Sequence, residues 1–183
     1  MTTLLIGATG MLKAAATHAV ARSKKAVLVS RGAEDFSLDS DTLDRKLVRV
    51  PRSYDDSAAF LDAVASHAPY DLMLTWIRPP AEILRAALDG MTAPGGRLVE
   101  VMGSRSILLG EAGEASIAER RAQALALQPG VVYAQVILGF VIEGEVSRWL
   151  THQEISAAAI AQMERPQARL VAGVLEPWEK RPG

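Results

Sequence analysis

Short β-prone apolar runs alternate along the chain with segments whose apolar residues recur at helical spacing, and that alternation leaves few folds open. A strand over 2–6 ends at Gly7-Ala8-Thr9-Gly10, after which Met11, Leu12, Ala15, Ala16, Ala19 and Val20 mark a helix. Strands follow over 26–30 and 47–50, with an acidic, serine-rich stretch over 34–44 between them that suits a short helix or a loop. Phe60, Leu61 and Val64 share one face of a helix over 56–68, which Pro69 stops before a fourth strand over 71–77. Pro79 and Pro80 suit the first turn of a helix reaching about residue 91, and Pro94-Gly95-Gly96 breaks it ahead of a fifth strand over 97–102. A helix over 111–127, a long strand over 131–140, a helix to about residue 164 opened by a Thr151-x-x-Glu154 capping box, and a strand over 170–175 complete the series. About seven strands with about six helical connections imply a doubly wound parallel α/β sheet with both faces covered.

At 183 residues the expectation is one domain over 1–183, with no separate substrate domain and a tail over 176–183 that frays. Apolar residues at 49% against 22% charged can fill a core, and 20 basic against 21 acidic side chains give a net charge of -1. That balance argues against a nucleic-acid partner or a polybasic membrane anchor. The absence of cysteine excludes disulfides, thiolate metal sites and cysteine nucleophiles, and no spacing of His and carboxylates suggests a metal site. The longest apolar stretch is too short to span a bilayer and no basic leader precedes the first strand, so a soluble cytoplasmic protein is expected.

Right-handed crossovers put the ligand site of such a sheet beyond the carboxyl ends of the strands, where strand order reverses beside the first strand. Residues 7–13, 31, 76–78, 102–106 and 139–143 should gather there. Gly7 and Gly10 let the backbone approach a diphosphate closely, Thr9 adds a hydroxyl, and helix N–H groups point at the anion. Ile6-Gly7-Ala8-Thr9-Gly10-Met11-Leu12 resembles the Gly-x-x-Gly-x-x-Gly opening of the short-chain dehydrogenase/reductase superfamily, closest to its extended and atypical branches. Within it the chain is similar to short bacterial proteins that share a Trp-Ile pair after the fourth strand. They also share a segment like 137–144 followed by Ser147-Arg148-Trp149-Leu150-Thr151-His152.

The resemblance implies a Rossmann-like domain binding a nicotinamide dinucleotide through Gly7, Thr9, Gly10, Met11, Leu12, Lys13, Ser30, Arg31 and Trp76. Lys13 replaces the third glycine of the family turn and could reach a phosphate or stay in solvent. No carboxylate follows the second strand to hold a ribose 2'-hydroxyl, whereas Arg31 offers a charged fork for a 2'-phosphate, so NADP(H) is favoured over NAD(H). Asp55 and Asp56 stand late for an adenine contact and suit a helix cap.

Carbonyl reduction in the superfamily uses a tyrosine with a lysine four residues on. Here Tyr54, Tyr70 and Tyr133 are followed at that spacing by Ala58, Leu74 and Ile137, and the lysines are Lys13, Lys24, Lys25, Lys46 and Lys180. The usual pair is absent. Catalytic candidates that remain are Ser104, Arg78 and His152, with Arg105 between Ser104 and Ser106 as an anion clamp; His18 and His67 fall on helices far from the cleft. Three readings stay open: an atypical NADP(H)-dependent reductase of a small carbonyl or enone, a non-catalytic nucleotide sensor with a protein partner, and a redox-neutral isomerase or cyclase. The resemblance also implies a homo-oligomer through the helices after strands four and five, where Ala86, Ala87, Ala118 and Ala122 are small.

Overall fold

The first strand, β1 (Thr2–Ile6), buries Leu5 on one side and Leu4 and Ile6 on the other, the two-sided burial that a central parallel strand requires. The computed structural model describes residues 1–78, 81–110 and 113–182. Along the chain follow α1 (Lys13–Arg22), β2 (Lys25–Ser30), a one-turn α2 (Asp41–Asp44), β3 (Leu47–Pro51), α3 (Ser57–Ala65), β4 (Tyr70–Trp76) and α4 (Glu82–Asp89). The second half holds β5 (Thr92–Gly103), α5 (Ile117–Ala126), β6 (Val132–Leu138), β7 (Phe140–Glu143), β8 (Val146–Trp149), α6 (His152–Glu164) and β9 (Arg169–Ala172). Seven strands form one parallel sheet in the order β3-β2-β1-β4-β5-β6-β9. The order reverses at β1, so the carboxyl ends of β1 and β4 open a crevice between them.

Helices cover both faces. On one, Ala15, Ala16, Ala19 and Val20 of α1 and Ile155, Ala159 and Met163 of α6 pack over Leu5, Leu28, Leu74, Val99 and Val136. On the other, Phe60 and Val64 of α3, Leu84 and Leu88 of α4 and Leu125 of α5 meet Leu4, Ile6, Val27, Met73 and Leu98. Each fully buried Leu, Val or Ile contributes about 1.5–3 kcal/mol, so these two layers, and not helix propensity, hold the sandwich together. The capping box at Thr151 and Glu154 is formed, and Ser116 with Glu119 builds a second one that opens α5.

Several local expectations give way. Pro94-Gly95-Gly96 does not precede β5 but bulges it: the pairing jumps from Tyr70↔Thr92 to Leu72↔Arg97, and the displaced segment needs no ladder donor from Pro94. The apolar run over 131–140 is two strands, because the chain turns at Gly139 and Phe140 begins an antiparallel hairpin, β7 with β8, outside the main sheet. The helix expected over 111–127 begins at Ile117, and Pro79, Pro80 and Glu111 lie outside the described residues. The tail expected to fray carries a 3-10 turn at Trp178–Lys180, with the Arg181 guanidinium over Trp149 and Trp178. Ala118 is fully buried beside Met102 and Ile137 within its own chain, so it is unavailable to an interface; Ala86, Ala87 and Ala122 keep some exposure.

A buried ionic network crosses the second face. Glu100 of β5 is 1% exposed and accepts from Arg85 Nε at 2.7 Å, Arg121 Nε at 2.9 Å and the Tyr133 hydroxyl at 2.7 Å. Arg121 also grips Asp89 through two bonds of 2.7 and 2.8 Å. Arg85 reaches on to the carbonyl of Ile77, so the network fixes the chain just past the end of β4, at the crevice.

Candidate functional site

The turn after β1 holds its glycines for different reasons. Gly7 has φ +67°, and a Cβ there would stand 2.5 Å from the carbonyl oxygen of Trp76 on the neighbouring strand, so only glycine fits. A Cβ on Gly10 would meet nothing within 4 Å; its surroundings are open. Gly7 and Thr9 border a cleft of about 1340 Å³ whose next wall is Ser30, Arg31 and Gly32 after β2. Ser30 Oγ is buried without a hydrogen-bond partner among the described residues. An orphaned hydroxyl, an open glycine turn and an exposed arginine beside it fit a phosphorylated ligand.

A third wall comes from the loop after β3, with Arg52, Ser53, Tyr54 and Asp55. The two neighbouring aspartates part company. Asp56 caps α3, accepting from Ala59 N at 3.2 Å, while Asp55 lines the cleft with its carboxylate held by Ser53 Oγ at 2.7 Å. The contribution of Arg52 and Tyr54 escaped the sequence reading, since it follows only from β3 lying beside β2. Arg78 joins the cleft from the far side, exposed.

Trp76 lies along the crest of the sheet. A Cβ on Gly7 would be 3.3 Å from its Cβ and Cδ1, and a Cβ on Gly103 would be 3.9 Å from its Cη2, so the indole reaches from the end of β1 to the end of β5. Beyond it is a smaller pocket of about 290 Å³, formed by Gly103, Ser104 and Arg105 after β5, Leu138 and Gly139 after β6, and Trp149, Leu150, Ile155 and Arg181.

The remaining expected residues fall elsewhere. Leu12 is fully buried in the core under α1 and the Met11 side chain packs against the same core, so neither lines the cleft. Lys13 leaves the turn as well: its ammonium sits 3.9 Å from Asp39 and 5.8 Å from the Phe36 ring centroid, because the first residue of α1 faces the loop after β2. Ser104 is buried in the smaller pocket, whereas His152 is exposed at the start of α6 and lines neither cavity. Among the described residues no group of three His, Cys, Asp or Glu could hold a metal, and no helix is long and apolar enough to cross a membrane.

Two of the three tyrosines are spent on structure. Tyr70 donates to the carbonyl of Val64 at 2.6 Å, and burial pushes its pKa up. Burial and the Glu100 carboxylate likewise raise that of Tyr133. Both effects run against the lowered pKa a catalytic tyrosine needs. Tyr54 stands beside the cleft wall after β3.

No protein-family model and no curated protein matches the sequence. Solved structures do match in shape. A short-chain dehydrogenase/reductase family protein superposes with a TM-score of 0.67 at 17% identity, covering 94% of this chain and 96% of that one. A short-chain dehydrogenase from Burkholderia cenocepacia, solved with NADP, gives 0.65 at 12% identity over 93% and 95%. YwfH, an NADPH-dependent reductase involved in bacilysin biosynthesis, gives 0.63 at 12% identity over 94% and 98%. The chain has the Rossmann-like fold that these structures share. On this fold the turn at Gly7 and the crest at Trp76 occupy the switch point of the sheet, the place where open α/β sheets bind their ligands.

Proposed function

We propose that the large cleft binds NADP(H) and that the chain is an atypical reductase of a small carbonyl or enone compound. One observation carries the reading: the cleft joins Gly7 and Thr9 of the glycine turn to Ser30, Arg31 and Arg52, and the Ser30 hydroxyl on its wall is buried without a partner among the described residues. The fold neighbours solved with NADP or named as NADPH-dependent support it.

Gly7, Thr9 and Gly10 would border the diphosphate, and Ser30 with Arg31 would take the 2'-phosphate, with Arg52 adding positive charge. Tyr54 and Asp55 would flank the adenine. The dihydronicotinamide, when bound, supplies a hydride. Trp76 lines the crest beside it, and Ser104 Oγ offers a hydrogen bond to a carbonyl oxygen in the smaller pocket. With Tyr70 and Tyr133 committed elsewhere, the proton comes from solvent. That same commitment favours, as a second reading, a nucleotide sensor without turnover. A soluble cytoplasmic protein that self-associates through the exposed alanines of α4 and α5 belongs to the reading as well.

Calorimetry with NADPH and NADH tests the cleft, and loss of NADPH absorbance over a panel of carbonyls and enones tests turnover. Binding with consumption is the expected result. Binding with complete inertness would leave the sensor, and no dinucleotide binding at all would overturn both readings.

A further inference from the structure

The smaller pocket has walls of two kinds. Leu138, Leu150, Ile155 and the Trp149 ring are apolar, Arg105 and Arg181 are cationic, and no Asp or Glu among the described residues lines it. Arg181 is held in a particular way. Its guanidinium lies 5.0 Å from the Trp149 ring centroid and 4.9 Å from that of Trp178. A cation–π contact uses the charge of the guanidinium and not its N–H donors, which can still bond an acceptor. Its Nε is buried with no hydrogen-bond partner among the described residues. A buried donor of this kind calls for an acceptor, and two arginines with no carboxylate among the described lining residues call for an anionic one.

We infer that this pocket binds the oxyanion of a small molecule with a planar or apolar body, a carboxylate first of all. Arg105 and Arg181 take the oxyanion and Trp149, Leu150 and Ile155 hold the body. The planar forks of the arginines match a carboxylate with paired N–H donors. The pocket adjoins Trp76 across Gly103, so its occupant meets the crest at the end opposite the glycine turn. This specifies the substrate class of the proposed reductase and rests on that reading for the word substrate; the anion binding itself needs no dinucleotide.

The test titrates the full chain, free of dinucleotide, with benzoate, with neutral benzamide and with inorganic phosphate, following calorimetry and tryptophan fluorescence. Benzoate should bind with a change in emission and benzamide about tenfold or more weakly, the loss of one charge-assisted hydrogen bond. Arg105→Gln and Arg181→Gln should each weaken benzoate by about the same factor while melting like the parent. Because a variant could misfold, the unaltered protein carries a second arm: rising ionic strength should weaken benzoate and leave benzamide unmoved. Phosphate competing as well as benzoate supports the clamp and assigns it to phosphoryl ligands. Equal binding of benzoate and benzamide, or undiminished benzoate binding in both variants, overturns it. NADPH titrated into the same samples separates the two claims: dinucleotide binding without benzoate binding sinks the clamp alone, and the reverse sinks the cofactor reading alone.

Discussion

Gly7 and Gly10 stand three residues apart in one turn, yet replacing each by alanine should have opposite signatures. At Gly7 the backbone φ is +67°, a conformation that costs an L-residue about 1–2 kcal/mol. The new Cβ would also lie 2.5 Å from the Trp76 carbonyl oxygen, a backbone atom of the adjacent strand that cannot swing aside. Forcing extra volume into such a site costs about 1–3 kcal/mol more. Gly7→Ala should therefore lose about 2–5 kcal/mol, a large part of a domain's margin. Gly10 has no strained φ and no neighbour within 4 Å of an added Cβ. Gly10→Ala should leave stability unchanged or raise it by about 0.5 kcal/mol through the unfolded chain. With the diphosphate against this turn, as proposed, the same methyl would crowd it, and NADPH should bind about tenfold or more weakly, at least 1.4 kcal/mol. Urea unfolding reads the first effect and calorimetry the second. Unchanged NADPH affinity in a well-folded Gly10→Ala protein would refute the placement of the diphosphate, and an undamaged Gly7→Ala protein would refute the steric argument.

Arg31→Asp should weaken NADPH more than NADH, by about 1–3 kcal/mol, since it exchanges a charge-assisted contact with the 2'-phosphate for repulsion; equal losses by calorimetry would remove Arg31 from the phosphate. Glu100→Gln leaves Arg85 buried without its counter-charge and should cost about 3–5 kcal/mol in urea unfolding. A loss under about 1 kcal/mol would mean that the network contributes little beyond its packing. At His67, burial first and then Lys25, whose Nζ lies 2.9 Å from Nδ1, hold the imidazole pKa below its ordinary value. Between that lowered pKa and about 6.5 the unfolded chain binds the proton and the folded one does not, so stability rises with pH across the window and is lost on acidification. His67→Gln should flatten the slope of melting temperature between about pH 7.5 and 5.5. An unchanged slope would exclude this histidine as its source.

The sheet was legible because its signal is local and repeated. Each strand announces itself by a run such as Ala26-Val27-Leu28-Val29, each helix by its period, and the handedness of crossovers then orders the strands. What escaped lacks such a signal. A continuous apolar run hides where the chain leaves one sheet for another, so nothing in the sequence over 131–140 marks the start of the β7–β8 hairpin. Pro94-Gly95-Gly96 carries the same punctuation whether it ends an element or bulges one. The β2 wall of the cleft was readable because Arg31 follows its strand directly. The wall after β3 was not, nor was the meeting of Arg105 with Arg181, because only the folded chain brings such distant residues together. Lys13 illustrates the limit of spacing: its position on α1 was certain, but its direction depended on Phe36 and Asp39.

Because the Trp76 indole lines the larger cleft and reaches Gly103 at the edge of the smaller pocket, the size of the side chain at position 76 bears on what can lie along the crest. An alanine in its place would merge a long groove and a short one into one trough, and longer molecules could then thread from the β2 side to the hairpin. The side chain at position 76 is thus a simple handle for redesigning which molecules the crest admits.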